Sequence, residues 1–525
     1  MNRVSHWTFT GIAAMCLATI AGCTDLMVEP KSTVTVANVF KDPSSYQAFL
    51  AKLYAGLAVS GQQGAAGQPD IAGIDEGFSQ YLRLYWEHEE LPTDEAIIGW
   101  GDLGLPEMNT QQWAVGNNFV GAMYYRVFYQ IVLANEFLRQ TTDAKLDSRG
   151  HTSATLKAQV KQYRAEARFL RALSYWHGID LFGDIPLLTE ANPLGTLPQQ
   201  RPRAEIYDFL VNELTAIKAD LPPNGPASYG RATPAAADML LAQLYLNAAV
   251  YSGTPHYTEA LTAAQAVISS GSFSLDPSYA HLFQADNNTS PEIIFPVTSD
   301  GKSTETWGGM TFLVHASCGG SMPDSSLMGV KGCWWGLRLR PEAYNRYTAG
   351  DRRANLFYRA GQNVAVTAVG TFTVGIAAPK FRNWTSTGQL GKDLTFPDTD
   401  FPMFRLADAY LIYAEASLRG GGGSPSQALD YVNALRVRAY GDSTGVISGP
   451  LTLDVVLDER SRELLWEGHR RTDLVRYGRF TGSSYLWAWK GGVVGGTGTA
   501  SYLNLYPIPA NELIANPNLK QNAGY

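Results

Sequence analysis

The sequence predicts a mainly α-helical protein, in which tetratricopeptide-like helical hairpins form a scaffold and a long loop-rich insertion interrupts it. Three observations support this prediction. Apolar residues recur at helical spacing over much of the chain, a helix–turn–helix pattern occurs twice, and residues 272–402 lose helical periodicity. The insertion is expected to be functional, because functional residues are often found on loops that a rigid scaffold positions.

A long helical pattern ends near residue 182. In the segment VKQYRAEARFLRALSYWHGIDLFGDIP, apolar side chains recur at spacings of three and four, at Phe169, Ala172, Leu173, Trp176 and Ile179. Gly183 is expected to end the helix, and Pro186 prevents its continuation. The preceding segment YYRVFYQIVLANEFLRQ has the same helical character.

The repeated pattern indicates paired helices. In the first copy, Thr233 is the expected N-cap and Pro234 the first helical residue; the helix runs to about Val250, turns through YSGTP and is followed by a helix that ends at Gly271. The second copy, FRLADAYLIYAEASLRGGGGSPSQALDYVNALRVRAYG, turns through GGGGSP. Small alanines at matching positions allow the helices of each pair to approach closely, as in tetratricopeptide-like hairpins.

The insertion between the two copies covers residues 272–402 and is rich in Gly, Ser, Thr and Trp. A segment of this length inside a helical scaffold indicates a functional region or a local strand-and-loop layer. We therefore divide the chain into a leader of residues 1–22, an amino-terminal region of residues 23–230 and a carboxy-terminal region of residues 231–525.

The amino terminus predicts export and lipid anchoring. Arg3 is followed by an uncharged apolar stretch that is too short to span a membrane stably. This stretch ends in Ile20-Ala21-Gly22-Cys23, which resembles the bacterial lipobox, so Cys23 is expected to become the lipidated first residue of the mature chain. The alternative is an ordinary signal peptide in which Cys23 has no special role.

Composition narrows the range of partners. The mature chain has 40 Lys and Arg against 48 Asp and Glu, because Arg3 is lost with the leader, and this mildly acidic balance argues against a nucleic-acid partner. Only Cys318 and Cys333 remain after Cys23. They could pair in an oxidising compartment or remain two unrelated thiols.

The stretch LYWEHEELPTDEAIIGWGDLG, residues 84–104, combines two tryptophans, Trp86 and Trp100, with six carboxylates. These are Glu87, Glu89, Glu90, Asp94, Glu95 and Asp102. Paired carboxylates beside aromatic rings suit a glycoside hydrolase, in which one acid protonates the leaving oxygen and the other acts as nucleophile or base. They equally suit a site that only binds sugar, because rings stack on sugar faces and carboxylates accept hydroxyl hydrogen bonds.

Other enzyme motifs fail in their context. Residues 441–445, GDSTG, match a nucleophile pattern but follow a helix, so we interpret them as a turn. HEELP has Pro92 where a zinc protease needs its second histidine, and GKS at 301–303 has Pro296 where a phosphate loop needs glycine. No cysteine or histidine cluster predicts a metal site, and no cofactor is expected. The charged segment 458–480 is predicted to form a salt-bridged face rather than a catalytic centre.

Several motifs in order resemble one family over nearly the whole mature chain. They are CTDLMVEPKSTVTVANVFKDPSSYQAFLAKLYAGL, ELPTDEA, RAEARFLRALSYWHGIDLFGDIPLL, ADAYLIYAEA, DERSRELLWEGHRRTDLVRYG and LYPIPANELIANPNLKQNAGY. The sequence is similar to the SusD/RagB family of Gram-negative outer-membrane lipoproteins. The resemblance implies a mainly helical, tetratricopeptide-like, non-enzymatic protein on the cell surface, in which the loop-rich insertion carries the ligand site. It also implies binding of oligosaccharides, or sometimes peptides, as a lid on a SusC-type TonB-dependent transporter.

Three functions follow from these observations: a glycan-binding surface lipoprotein, a peptide-binding member of the same family, and a glycoside hydrolase. The resemblance makes Asp94 and Glu95 residues that cap or bridge helices, and Trp86 is expected in the core. Glycine-rich loops without helical spacing predict the ligand contacts, which are Trp100, Asp102, Trp307, Trp334 and Trp335. Because adjacent side chains of an extended segment point apart, at most one of Trp334 and Trp335 is expected to face the ligand.

Overall fold

The computed structural model describes residues 39–525 except residues 66 and 68, and the leader and Cys23 lie outside the described residues. Residues Tyr46–Tyr525 form one compact unit. The predicted mainly α fold is confirmed. The α-helices are α1 Ser44–Ala58, α2 Tyr81–Glu90, α3 Leu105–Thr110, α4 Asn118–Gln140, α5 Asp143–Ser148, α6 Ala154–Phe182, α7 Arg203–Ile217, α8 Pro234–Leu246, α9 Ala248–Tyr251, α10 Tyr257–Ser269, α11 Gly309–Ala316, α12 Pro341–Tyr344, α13 Leu406–Ala416, α14 Pro425–Tyr440, α15 Leu453–Glu463, α16 Arg470–Arg476 and α17 Ala510–Ala515.

The strands are short and form three two-stranded antiparallel pairs within the described residues. They are β1 Ala96–Ile98, β2 Ile185–Pro186, β3 Gln200–Arg201, β4 Ile293–Val297, β5 Leu337–Leu339 and β6 Phe401–Arg405. Strand β1 pairs with β5, β2 with β3, and β4 with β6.

The two sequence repeats form two helical hairpins that lie side by side. Helix α8 packs on α10, α10 packs on α13, and α13 packs on α14. The predicted cap of the first copy is confirmed, because the Thr233 hydroxyl accepts a hydrogen bond from the Ala236 amide and Pro234 opens the helix. Ser424 caps α14 in the same way, followed by Pro425. Helices α4, α6 and α7 pack in sequence and extend this scaffold.

The insertion leaves the scaffold and returns to it at one place. Strand β4 and strand β6 pair with Val297 opposite Phe401, so the two arms of the insertion begin and end next to each other. Helix α6 ends as predicted, because Gly183 has a φ of 74° and its amide donates to the Ile179 carbonyl.

Most of the charged segment 458–480 lies inside the protein, and its two ends reach the surface. Its ion pairs are as predicted, but they form a buried layer rather than a solvent-facing surface. Arg405 contacts Glu292, Glu463 and Glu467 at 2.6–2.8 Å, and the side chains of all four residues are at most 1 % exposed. Buried charges of this kind are tolerated because each has an opposite charge and further hydrogen bonds.

The same buried layer joins the amino-terminal part of the chain to its carboxy-terminal part. Asp94 pairs with Arg470 at 2.7 Å and also with Arg346, so it bridges helix α16 and the segment after α12. Glu95 accepts a hydrogen bond of 2.6 Å from Ser461 of α15. The bridging roles predicted for Asp94 and Glu95 are therefore confirmed. Trp86 is fully buried, as expected, and its indole N–H donates to the Trp466 carbonyl.

Candidate functional site

Trp100 and Trp334 are brought together by the β1–β5 pair. The register places Ile98 opposite Leu337, so the residues after β1 lie beside the residues before β5. The Gly99 amide donates to the Gly336 carbonyl at 3.0 Å, and the Trp100 indole N–H donates to the Trp334 carbonyl at 2.9 Å. The two loop segments are therefore fixed to each other by both backbone and side chain.

The Trp334–Trp335 segment is attached to the carboxyl end of helix α11. The amides of Trp334, Trp335 and Gly336 donate to the carbonyls of His315, Cys318 and Ala316 at 2.8–2.9 Å. Helix ends leave carbonyls without intrahelical partners, and this segment supplies donors for them. Cys318 and Cys333 form a disulfide, which resolves the alternatives that the sequence left open.

His315 lies beneath Trp334 and joins two loops. Its ring stacks on Trp334 with centroids 4.8 Å apart and planes inclined by 23°. Nδ1 lies 2.6 Å from the Gly332 carbonyl, and Nε2 lies 2.8 Å from the Thr395 carbonyl. Burial lowers the pKa of His315. The ring therefore serves as a support for Trp334 on the side away from solvent.

Trp307 reaches the same surface from a third segment. The Trp307 amide donates to the Glu76 carboxylate at 3.2 Å, and the neighbouring Thr306 hydroxyl donates to it at 2.8 Å. The next residue must be glycine, because a Cβ at Gly308 would lie 2.3 Å from the Gln80 Cβ. Trp307 also packs on Phe396 with ring centroids 5.2 Å apart.

Trp100, Trp334 and Trp307 form what we call the tryptophan row, with Trp334 in the middle. The ring centroids of Trp100 and Trp334 are 6.3 Å apart and those of Trp334 and Trp307 are 6.2 Å apart. The planes of the two pairs are inclined by 49° and 45°, so the row is not a flat platform. Trp307 is 38 % exposed, and Trp100 and Trp334 are half-buried. Partly exposed rings held by fixed hydrogen bonds can bind an apolar face without further ordering.

The row adjoins polar groups that have unused hydrogen-bonding capacity. Arg83 lies 5.6 Å from the Trp100 ring centroid and pairs with Glu87 at 2.9 Å, while its Nη2 has no partner among the described residues. Burial raises the pKa of Glu87. Asp102 is on the Trp100 loop, and its carboxylate has no hydrogen bond or ion pair within the described part of the chain. Arg83 was missed by the sequence analysis, although its spacing of four from Glu87 on a helix was a usable signal.

Trp335 lies apart from the row. Its ring packs on Phe372 with centroids 6.1 Å apart, and 54 % of the residue is exposed. The rings of Trp334 and Trp335 do point to different neighbours, but the reason differs from the one expected. Trp335 is not extended: its φ is 58°, a left-handed conformation that reorients the chain between the two rings.

The acidic stretch of residues 84–104 is mostly internal. Glu87, Glu89, Glu90, Asp94 and Glu95 are no more than 1 % exposed. Burial and the neighbouring Asp180 raise the pKa of Glu89 to about 8, although Arg471 contacts it at 3.3 Å. Burial opposes the charge of Asp94 as well, but Arg346 and Arg470 outweigh it and lower the pKa of Asp94. These five carboxylates lie in the interior and do not flank a cleft, as the two acids of a glycosidase must.

Residues 441–445 form a turn, as expected. In residues 441–445 the Asp442 carboxylate accepts a hydrogen bond of 2.8 Å from the Thr444 amide in a short turn. No group of three or more His, Cys, Asp or Glu among the described residues could hold a metal ion. In the carboxy-terminal tail, the Asn522 side-chain amide donates to the carbonyls of Phe182 and Tyr506.

Comparison with known proteins shows which family the chain is related to. The model of the SusD family matches residues 352–525. The starch-binding protein SusD of Bacteroides thetaiotaomicron is 36 % identical over 91 % of this chain and 92 % of its own length. The chain belongs to the SusD family. The SusD-like protein P2 of Formosa agariphila is 25 % identical over 97 % of this chain and 98 % of its own.

Solved structures agree with the fold of this SusD-family protein. A SusD superfamily protein from Bacteroides vulgatus superposes with a TM-score of 0.71 at 21 % identity, covering 93 % of this chain and 100 % of that one. Surface glycan-binding protein A from Bacteroides thetaiotaomicron, in complex with laminarihexaose, gives 0.70 at 21 % identity, covering 91 % and 99 %. Within residues 39–525, none of the described helices is long and apolar enough to cross a membrane.

Proposed function

We propose that this protein binds a glycan on the tryptophan row and takes no part in cleaving it. The observation that supports this most directly is the row itself: three tryptophans from three distant segments lie with centroids 6.2–6.3 Å apart on a partly exposed surface. Aromatic faces bind the apolar faces of sugar rings. Asp102, on the same loop as Trp100, provides an acceptor for sugar hydroxyls, whereas Arg83 is 2 % exposed and lies behind the Trp100 ring.

The inclination of the rings favours a curved glycan over a flat one. A straight, ribbon-like chain presents successive sugar faces in nearly one plane and would match coplanar rings. Rings inclined by 45–49° instead match a chain whose sugars turn from one to the next, as they do in the helical chains of α-linked glucans. The name of the 36 % identical relative, starch-binding protein SusD, supports the same class of ligand.

Binding would take place at the cell surface, with the protein anchored by lipid at Cys23 and partnered with a SusC-type TonB-dependent transporter. The lipobox-like sequence before Cys23 supports the anchor, and membership of the SusD family supports the partner. The protein would retain the glycan and deliver it to the transporter. The burial and pairing of the carboxylates of residues 87–95 support a role without catalysis.

Calorimetry with a panel of ligands tests the proposal. We expect purified protein to bind maltoheptaose and soluble starch, and to bind cellohexaose, laminarihexaose and a mixed oligopeptide at least tenfold more weakly. Trp100→Ala and Trp307→Ala should each lower affinity for maltoheptaose about ten- to hundredfold, which corresponds to the ~1–3 kcal/mol expected for loss of a stacking ring.

Melting temperature is the control for these variants, because each ring is partly exposed. Loss of binding only in proportion to loss of folded protein would show that the rings are structural. Preference for cellohexaose or laminarihexaose would reject the α-glucan class, and binding of the oligopeptide alone would favour a peptide-binding member of the family. Release of reducing ends from any polysaccharide of the panel, above a buffer control, would reject the non-enzymatic role.

A further inference from the structure

The disulfide lies directly beside the tryptophan row in sequence and in space. Cys318 follows helix α11 by two residues and is fully buried, and Cys333 immediately precedes Trp334. The bond closes the loop formed by residues 319–332 and joins the start of the Trp334–Trp335 segment to the end of α11. Both cysteines belong to the insertion and lie outside the scaffold hairpins.

The segment that the disulfide joins adopts a conformation that needs external support. Trp335 has a φ of 58°, which L side chains rarely adopt outside tight turns, and more than half of the residue is exposed. Its ring also needs the small neighbour that it has, because a Cβ at Gly319 would lie 2.8 Å from the Trp335 Cγ. The three amide donors of residues 334–336 then meet the carbonyls at the end of α11.

The middle ring of the row depends on the same turn. The Trp334 carbonyl accepts the indole N–H of Trp100, so a change in the backbone at residue 334 displaces two of the three rings. The His315 ring beneath Trp334 faces the Gly332 carbonyl, which is adjacent to Cys333. The disulfide therefore restrains the support, the middle ring and the hydrogen bond to the neighbouring ring together.

We propose that the Cys318–Cys333 disulfide is a positioning device for glycan binding, which holds the tryptophan row in its binding arrangement. The proposal rests on the proposed function, and it adds that affinity depends on the redox state of these two cysteines. Reduction by a dithiol adds two electrons and two protons to the bond and yields two protein thiols, while the dithiol becomes a disulfide. The attack is expected at Cys333, because that residue is partly exposed and Cys318 is not.

The test compares oxidised protein, protein treated with dithiothreitol, and the double variant Cys318→Ser with Cys333→Ser. We expect reduction and the double variant to lower affinity for maltoheptaose at least tenfold. The near-ultraviolet circular dichroism of the tryptophans should change, while the far-ultraviolet spectrum stays that of folded protein. Removing the reductant and reoxidising the protein should restore the affinity of the wild type. Dithiothreitol should have no effect on the affinity of the double variant.

A second double variant, Cys318→Ala with Cys333→Ala, separates loss of the bond from poor packing of serine at the buried position 318. Thiol titration shows whether the bond is open, because no other cysteine follows Cys23. Unchanged affinity with two free thiols would overturn the proposal, as would a loss of affinity that follows global unfolding. If the oxidised wild type binds no glycan, the proposed function fails. In that case, near-ultraviolet dichroism and acrylamide quenching of tryptophan fluorescence that stay unchanged on reduction would overturn the positioning role as well.

Discussion

The tryptophans of this protein have two different roles, which are distinguished by how deeply each side chain is buried. Trp86 and Trp466 are fully buried; the Trp86 indole N–H donates to the Trp466 carbonyl, and the Trp466 indole N–H donates to the Glu95 carbonyl. Trp100 uses its N–H in the same way, yet its ring remains partly accessible. An indole whose polar atom is already satisfied by protein offers mainly its face to a ligand, which is the property that a stacking site requires.

At the residue scale we predict that Trp334→Ala weakens maltoheptaose binding more than Trp335→Ala does. Trp334 lies between the other two rings, whereas Trp335 packs on Phe372 away from them. Loss of the middle ring should cost at least tenfold in affinity, and loss of Trp335 less than about threefold. Calorimetry on both variants measures the difference, and equal losses would place Trp335 in the site.

Among the elements, the β1–β5 pair has the greatest influence on the site although each strand has only three residues. Beyond the pair, Gly336 provides the space in which the Trp100 ring lies, because a Cβ there would lie 2.8 Å from the Trp100 Cε2 and Cζ2 atoms. The Gly336 backbone has no left-handed conformation, so an alanine is excluded by the ring rather than by backbone strain.

We therefore predict that Gly336→Ala displaces the Trp100 ring and lowers glycan affinity about tenfold or more. The cost in unfolding free energy should be about 1–3 kcal/mol, as for other side chains inserted into a packed region. Gly101→Ala is the matched control, because a Cβ at Gly101 meets nothing within 4 Å and that loop lies beside the same ring. Calorimetry and thermal unfolding on both variants check the prediction, which fails if the two alanines have the same effect on binding.

Sequence reasoning succeeded where the physical signal was local. The caps at Thr233 and Gly183 and the spacing of small residues in the two hairpins depend on neighbours within a few positions, so they could be recognised in the sequence. The order of the tryptophan row depends instead on a strand pair that joins residues 96–98 to residues 337–339. The candidate residues were named, but no periodicity shows which of them lie together, or that Trp335 turns away.

The burial of the charged segment 458–480 could not be predicted from the sequence. Alternating charges at helical spacing in residues 458–480 are typical of a solvent-facing helix, and nothing local distinguishes them from charges that pair inside the protein. The partners that permit their burial, such as Glu292 and Arg405, lie far away in the chain. Ion pairs with residues far away in the chain therefore determine that this segment is buried.

On the scale of the whole molecule, the buried carboxylates make stability depend on pH. The pKa of Glu89 is raised to about 8 and that of Glu95 to about 7, in both cases chiefly by burial. An acid whose pKa is higher in the folded state binds its proton there while the unfolded chain has released it. Between about pH 4.5 and the folded-state pKa, stability therefore falls as pH rises, by about 1.4 kcal/mol per pH unit for each such proton.

We predict that the free energy of unfolding decreases from pH 5 to pH 8, and that Glu89→Gln makes this decrease smaller. The amide cannot release a proton, so the contribution of Glu89 to the slope disappears. Denaturant unfolding of both proteins over this pH range measures the two slopes. Parallel slopes would contradict the raised pKa of Glu89.

Attachment of the whole molecule to the membrane is predicted to depend on one cysteine. Cys23→Ala should leave the protein unlipidated, so that it is released from the membrane fraction or retained with its leader uncleaved. Fractionation of cells that express each form, followed by mass spectrometry of the amino terminus, measures both outcomes. Lipidation and membrane retention of the variant would show that Cys23 is not the anchor.

The long separation of the buried partners has a consequence for how the chain becomes a folded protein. Glu89, Glu90, Asp94 and Glu95 meet their partners in residues 461–472, which lie 366 to 383 positions later. A chain that ends before residue 458 retains Arg346 as a partner of Asp94 but lacks the partners of Glu89, Glu90 and Glu95, so these three buried acids lose the groups that make their burial tolerable. Folding should therefore be completed only after residues 458–525 have joined the structure, and a proteolytic cut that removes these residues should destabilise the amino-terminal part of the protein as well as its end.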